Sequence, residues 1–204
     1  MRISKRQHSH PSEGITFFSG FLRRPQQVGS VIPSSRFLIR RIIDIAEVAA
    51  AQCIVELGPG TGSTTRALLS AMQPDARLLA IEINPDFISL LRQIEDPRLI
   101  IHHGDAYDLT EIMAAYELVP PDVVISGIPF STIPTHLGLA IINSIAQILT
   151  AGGRFVAYQF RDRVETLGRT VFGPAQVKIE LRNIPPLRIY RWTKPAAKGK
   201  PTDH

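Results

Sequence analysis

The stretch VELGPGTGS (55–63) places a carboxylate, Glu56, two residues ahead of three alternating glycines, Gly58, Gly60 and Gly62. It follows an apolar run, CIVEL (53–57), and opens a helical pattern, STTRALLSAM. Glycines between a strand and a helix let the backbone turn sharply and let a ligand approach the main chain closely. A second acid, Glu82, ends the next apolar run 20 residues past Gly62, the spacing at which a carboxylate takes both hydroxyls of a ribose. A third, Asp105 in HHGDAY, follows the third run, where it can accept from an adenine amino group. Thr61, Ile83 and Ala106 flank these positions and are expected to line the same nucleotide site.

The glycine spacing is G-x-G-x-G rather than the dinucleotide G-x-G-x-x-G, whose helix N-terminus faces a pyrophosphate. Glu56 would repel a pyrophosphate but suits an ammonium. S-adenosylmethionine carries no phosphate and ends in an amino acid, so it is the expected cofactor. Acids at three successive strand ends resemble the signature of class I S-adenosylmethionine-dependent methyltransferases.

These residues need a scaffold. From residue 52 onward, apolar runs (CIVEL, RLLAIEI, RLIIHH, DVVISG, GRFVAYQF) alternate with the helical patterns STTRALLSAM, NPDFISLLRQI, LTEIMAAYEL and PTHLGLAIINSIAQIL. Continuous apolar strands separated by amphipathic helices predict a parallel sheet covered on both faces. QVKIELRNIPPLRIYRW then reads as an antiparallel hairpin turning at Asn183–Pro186. The expected fold is α/β and Rossmann-like, a seven-stranded, mostly parallel sheet with a C-terminal antiparallel hairpin, preceded by N-terminal helices. Residues 34–50 read as a helix opening at Ser34 or Ser35 behind Pro33. The expected domains are a disordered basic tail (1–13), an N-terminal helix, loop and helix (14–50), a catalytic domain (51–193) and a disordered tail (194–204).

The fourth strand runs into SGIPF (126–130). This position resembles the Asn/Asp-x-Pro-aromatic turn of ribosomal RNA adenine dimethylases, in which the side chain and a backbone carbonyl accept from the adenine amine and the aromatic stacks on the base. Gly127 stands in the Asn position and offers no side-chain acceptor. The sequence also ends soon after its seventh strand, so the C-terminal helical domain of those enzymes is not expected. The chain is closer to the small soluble phospholipid N-methyltransferases of bacteria. That resemblance spans roughly residues 17–192 and rests on FFSGFLRRPQQVGSVIPSS, VELGPGTG, EINPDF, GDAY, SGIPF and NIPPLRIYRW. It implies stepwise methylation of the head-group amine of phosphatidylethanolamine, with ornithine lipids as the second candidate. It also implies a cofactor contact at Ser126 and substrate contacts at Gly127, Ile128 and Pro129. Phe130 and Tyr158 are the catalytic candidates, as aromatic faces for the developing ammonium, with core packing as the alternative for each; Tyr158 or a water relayed by Asp105 are the candidates to take the amine's proton. Tyr190 and Arg161 are expected to contact substrate, with Arg161 or Arg163 holding the lipid phosphate.

Ahead of all this lies GITFFSGFLRR (14–24). On a helical wheel Ile15, Phe17, Phe18, Phe21 and Leu22 share an arc of about 160°, with Arg23 and Arg24 outside it, the composition of a helix lying in a membrane interface; packing of this face on the domain's own sheet or lid is the alternative. The formal net charge is +5, and residues 1–50 alone hold eight Lys/Arg against three acids, so the expected partner is anionic, a nucleic acid or a lipid surface, and the resemblance favours the lipid. No apolar run approaches the ~20 residues of a membrane span. The single Cys53, in an apolar run, fits a reducing cytoplasm and a buried small hydrophobe. The expected place of action is therefore the inner face of the cytoplasmic membrane, with phospholipid as substrate; nucleic acid and a resident metal are not expected. An RNA or small-molecule methyltransferase and a non-catalytic membrane adaptor are the competing readings.

Overall fold

The computed structural model describes residues 34–195. The expected basic tail at 1–13 and the membrane segment with Phe17, Phe18, Phe21, Leu22, Arg23 and Arg24 lie outside the described residues.

Seven strands form one sheet: β1 (Cys53–Leu57), β2 (Arg77–Glu82), β3 (Leu99–His103), β4 (Val123–Ser126), β5 (Arg154–Gln159), β6 (Gln176–Glu180) and β7 (Leu187–Thr193), in the order β3-β2-β1-β4-β5-β7-β6. The first five are parallel, while β7 runs antiparallel to both β5 and β6, as the sequence predicts. Every residue of β1 is buried, because helices cover both faces.

One face packs on α1 (Arg36–Ala46) and α2 (Ser63–Ala71), through Leu38, Ile42, Ile54, Leu68, Leu78 and Val156. The other packs on α4 (Leu109–Ala115), α5 (Thr135–Ile148) and α6 (Arg163–Phe172), through Val55, Ile112, Ile142, Leu167, Phe155 and Trp192. A short α3 (Pro85–Leu91) follows β2, capped by Asn84 with Pro85 at its first position.

Helix α1 opens where the serines predict, with Ser35 Oγ accepting from Leu38 N–H. It closes at Ala46 rather than at residue 50, because Glu47 turns into the left-handed region (φ 53°); a 3-10 turn, Val48–Ala50, follows. Its apolar side shares a core with Ile54, so α1 and β1 belong to one unit, across the expected boundary at 50/51. At the other end Lys194 is not the start of a loose tail. Its N–H donates to Gly153 O and its Nζ to the carbonyls of Gln147 and Leu149.

Helix α6 is absent from the sequence reading. Gly168 interrupts its pattern and masks it. A Cβ at Gly168 would lie 2.4 Å from Trp192 Cζ2, so the glycine is what lets the indole pack against the helix.

Candidate active site

All the turns that follow the parallel strands open at one edge of the sheet, where α/β folds bind ligands. After β1, Gly58, Gly60 and Gly62 all have positive φ (70°, 58° and 82°), which is the conformational reason for glycine there. Gly58 approaches the next turn so closely that a Cβ on it would touch Ile128 at 3.4 Å. Thr61 is exposed at the rim of this turn, its hydroxyl 3.4 Å from that of Ser63.

Glu82 is buried, and its carboxylate accepts from Gly60 N–H (3.0 Å), Ile83 N–H and Asn84 N–H (both 2.9 Å). Burial nevertheless leaves its pKa raised, with those backbone donors acting against the shift. A carboxylate has about four lone-pair sites, so this one retains capacity for a hydroxyl while being fixed in direction. Ile83 is half-buried beside it. Asp105, at the end of β3, accepts from Tyr107 N–H through Oδ1 and caps the 3-10 turn that begins at the buried Ala106.

Glu56 is 1% exposed, points toward α2 and accepts from the Thr65 hydroxyl through Oε2 (2.7 Å). Its other oxygen, Oε1, is buried with no partner among the described residues. Burial first, and the Glu82 charge behind it, push its pKa up to about 7 against the Thr65 bond. A buried carboxylate oxygen without a donor is costly, and an ammonium is the group that removes the cost. The glycine turn, the ribose-spaced Glu82, Asp105 and this orphaned oxygen together fit S-adenosylmethionine. Its amino acid end would lie on Glu56 and its ribose on Glu82.

The β4 turn is built differently from the sequence expectation. Ser126 is fully buried and its hydroxyl accepts from Ile128 N–H (3.2 Å), so its side chain shapes the turn instead of facing the cofactor. The Ile128 carbonyl accepts from Phe130 N–H (2.9 Å) and from Gln159 Nε2, which occupies both of its lone pairs. Pro129, half-buried, accepts through its carbonyl from the Thr132 hydroxyl and N–H. Phe130 is 0% exposed and packs in the α4–α6 core beside Ile133 and Gly138, so its ring offers no face to a substrate. Tyr190 is also turned away. It lies in that same core, stacked on Trp192 with ring centroids 6.0 Å apart.

Tyr158, by contrast, stands on the α1/α2 face of β5 with Glu56. A Cβ placed on Gly127 would lie 2.7 Å from the Tyr158 hydroxyl, 3.2 Å from its Cζ and 2.9 Å from Gly58 O. The phenol thus fills the space that any side chain at 127 would need, at the seam between the β1 and β4 turns. Its hydroxyl also meets the side chains of Thr64 and Ser34, and burial with the Glu56 charge pushes its pKa up to about 12. Arg161 is exposed just beyond β5.

Thr65, Thr64 and Gln159 belong to this site without being announced as such by the sequence. The only available signals were hydroxyls opening a helix directly after the glycine turn and a glutamine closing an apolar strand. Among the described residues no three His, Cys, Asp or Glu side chains converge as a metal site.

A sequence model of the family described as ribosomal RNA adenine dimethylase matches residues 23–164. The chain is 30% identical over 177 residues to the ornithine lipid N-methyltransferase of Singulisphaera acidiphila, covering 85% of this chain and 92% of that one. It is 35% identical over 96 residues to ribosomal RNA small subunit methyltransferase A of Phenylobacterium zucineum, but that match covers 46% of this chain and 32% of the other. Among solved structures, the N-methyltransferase NodS from Bradyrhizobium japonicum WM9 superposes with a TM-score of 0.65 at 15% identity, over 80% of this chain and 97% of its own. At that identity the likeness concerns the fold.

Proposed function

The chain belongs to the ribosomal RNA adenine dimethylase family, and within it we propose that the methyl acceptor is the head-group amine of a membrane lipid. It is an S-adenosylmethionine-dependent methyltransferase. The observation that carries the substrate reading is the pairing of Gly127 with Tyr158. A site for adenine needs a side-chain acceptor at position 127 and an aromatic face beyond the proline. Here the first is sterically excluded and Phe130 is buried in the core. What remains at the seam is one phenolic hydroxyl, which suffices for an alkyl amine. Phosphatidylethanolamine and its mono- and dimethylated forms are the proposed acceptors, and the ornithine lipid head group offers the same primary amine.

When bound, the cofactor supplies an electrophilic methyl on its sulfonium. The protein's part is to aim the amine and exclude water. Tyr158, its pKa pushed up to about 12, keeps its proton at neutral pH. It therefore orients the amine by accepting an N–H through a lone pair and does not take the proton itself. Burial of the head group lowers its ammonium pKa and so favours the neutral nucleophile. Arg161, exposed just beyond β5, is the proposed contact for a head-group phosphate where the lipid carries one, and the expected working surface is an anionic, cytoplasm-facing membrane.

The test is turnover with methyl-labelled cofactor on vesicles holding phosphatidylethanolamine, vesicles holding ornithine lipid, and ribosomal RNA. Label in a lipid extract supports the reading, and the two vesicle arms identify the head group. Label in RNA adenine with none in any lipid overturns it.

A further inference from the structure

At the active-site edge of the sheet, β6 and β7 are joined by residues 181–186, and this loop is held rigidly. The buried Asn183 accepts from Ser35 N–H (2.9 Å) through Oδ1 and donates from Nδ2 to Pro185 O (2.9 Å). On one side of it the buried Glu180 pairs with Arg41 of α1 (2.9 Å) and Arg182 (3.0 Å), and Arg182 lies 4.3 Å over the Phe37 ring. From this locked base two aliphatic side chains project into solvent: Leu181 is 72% exposed and Ile184 90%. Phe160, 56% exposed, follows β5 beside them, its carbonyl bonded by Arg188 of β7. Single exposed apolar residues are ordinary, but three large ones gathered at one end of a sheet mark a docking surface.

We propose that this hairpin tip is a membrane-insertion element, in which Leu181, Ile184 and Phe160 enter the head-group layer of an anionic bilayer. This rests on the lipid reading above. Three observations commit the tip to a bilayer. Residues 160–163 and 181–188 contain three arginines besides the Glu180-paired Arg182 (Arg161, Arg163 and Arg188) against one exposed acid, Asp162, the composition that anionic head groups attract. The tip lies one strand over from the Tyr158–Gly127 seam, since β7 flanks β5, so its insertion would present that seam to the head-group level. Ser35, which is bonded to the loop itself, stands eleven positions in sequence after the apolar and arginine-rich 14–24 stretch.

The measurement is sedimentation of the full chain with vesicles of phosphatidylglycerol and phosphatidylcholine, which carry no methylatable amine. Leu181→Asp with Ile184→Asp should weaken binding more than tenfold, while melting temperature and cofactor affinity stay as in the parent. Ile184→Cys carrying an environment-sensitive dye is the second probe. Cys53 will compete little for the label, being buried with its thiol pKa pushed up to about 11. The dye should brighten on vesicles and be quenched by lipids labelled near the head group. Unchanged vesicle binding by the double variant, or a dye blind to the vesicles, overturns the proposal. So does a loss of self-association with vesicle binding intact, which would make the tip a contact between two copies. Turnover on lipid dispersed in detergent micelles, which needs no docking, separates this failure from that of the lipid reading. Micellar turnover with unchanged vesicle binding sinks the tip alone; absent turnover with lost vesicle binding sinks the substrate class alone.

Discussion

At the scale of single residues, the proposed choice of acceptor turns on one glycine and one tyrosine. Gly127→Asn restores the adenine-type residue, but its Cβ would meet the Tyr158 hydroxyl at 2.7 Å and Gly58 O at 2.9 Å. Overpacking of that kind costs about 1–3 kcal/mol, and lipid turnover should fall about a hundredfold without any gain on RNA, as steady-state kinetics on both substrates will read. Tyr158→Phe keeps the ring and removes the acceptor. Turnover should drop about tenfold or more while cofactor affinity holds, because only an orienting bond is lost. Glu56 makes a prediction of opposite sign for stability and binding. Its folded pKa, about 7, exceeds the ordinary 4.5, so the folded protein binds this proton more tightly than the unfolded chain. The stability it confers is complete below about pH 4.5 and is lost as pH rises to about 7. Glu56→Gln should therefore gain on the parent in melting temperature between pH 5 and pH 8. Its cofactor affinity should be lower, and the parent's own affinity should weaken below pH 7, where the carboxylate must first release its proton. Melts and titration calorimetry across that range check both.

At the scale of elements, the helix hidden in the sequence is the one whose glycine does the packing. Gly168→Ala forces a Cβ to within 2.4 Å of Trp192 and should destabilise the fold by about 1–3 kcal/mol, read by denaturant unfolding with the indole as reporter. The same residue explains why α6 escaped a periodicity reading, since glycine is a poor helix former and its value here lies in a partner some 24 positions on. The strand CIVEL and the acids Glu56, Glu82 and Asp105 were legible because local apolar runs and strand-end spacing determine them. Side-chain direction after β4 was not. Motif position alone put Phe130 at the substrate, whereas the bonds from Ser126 and Gln159 to Ile128 set the turn so that the ring enters the core. Tyr190 failed for a related reason. Strand alternation is legible, but which face meets which helices depends on the sheet order, which places Tyr190 with Phe155 and Trp192. Tyr158 shows the converse, a tyrosine in an apolar strand whose importance depends on an absent side chain across the seam.

At the scale of the whole molecule, no helix among the described residues is long and apolar enough to cross a membrane. The formal charge of +5 is concentrated in the first fifty residues, where the sequence expectation for 14–24 is an interfacial helix. Phe18→Glu with Phe21→Glu removes two rings worth about 1.5–3 kcal/mol each on burial and adds two charges that an anionic surface repels. Affinity for anionic vesicles should fall by about two orders of magnitude or more. If these rings serve the membrane alone, melting temperature and cofactor affinity should not move. Arg23→Gln with Arg24→Gln should act differently. Each nearby cation contributes ~1 kcal/mol, screened over about 10 Å at 0.1 M salt, so this pair should lower affinity modestly and mainly flatten its dependence on salt. Vesicle sedimentation across a salt series, run beside thermal melts, separates the outcomes. A folded aromatic double variant that still sediments with vesicles refutes insertion of this segment, and a collapse in melting temperature means that the rings seal the domain instead.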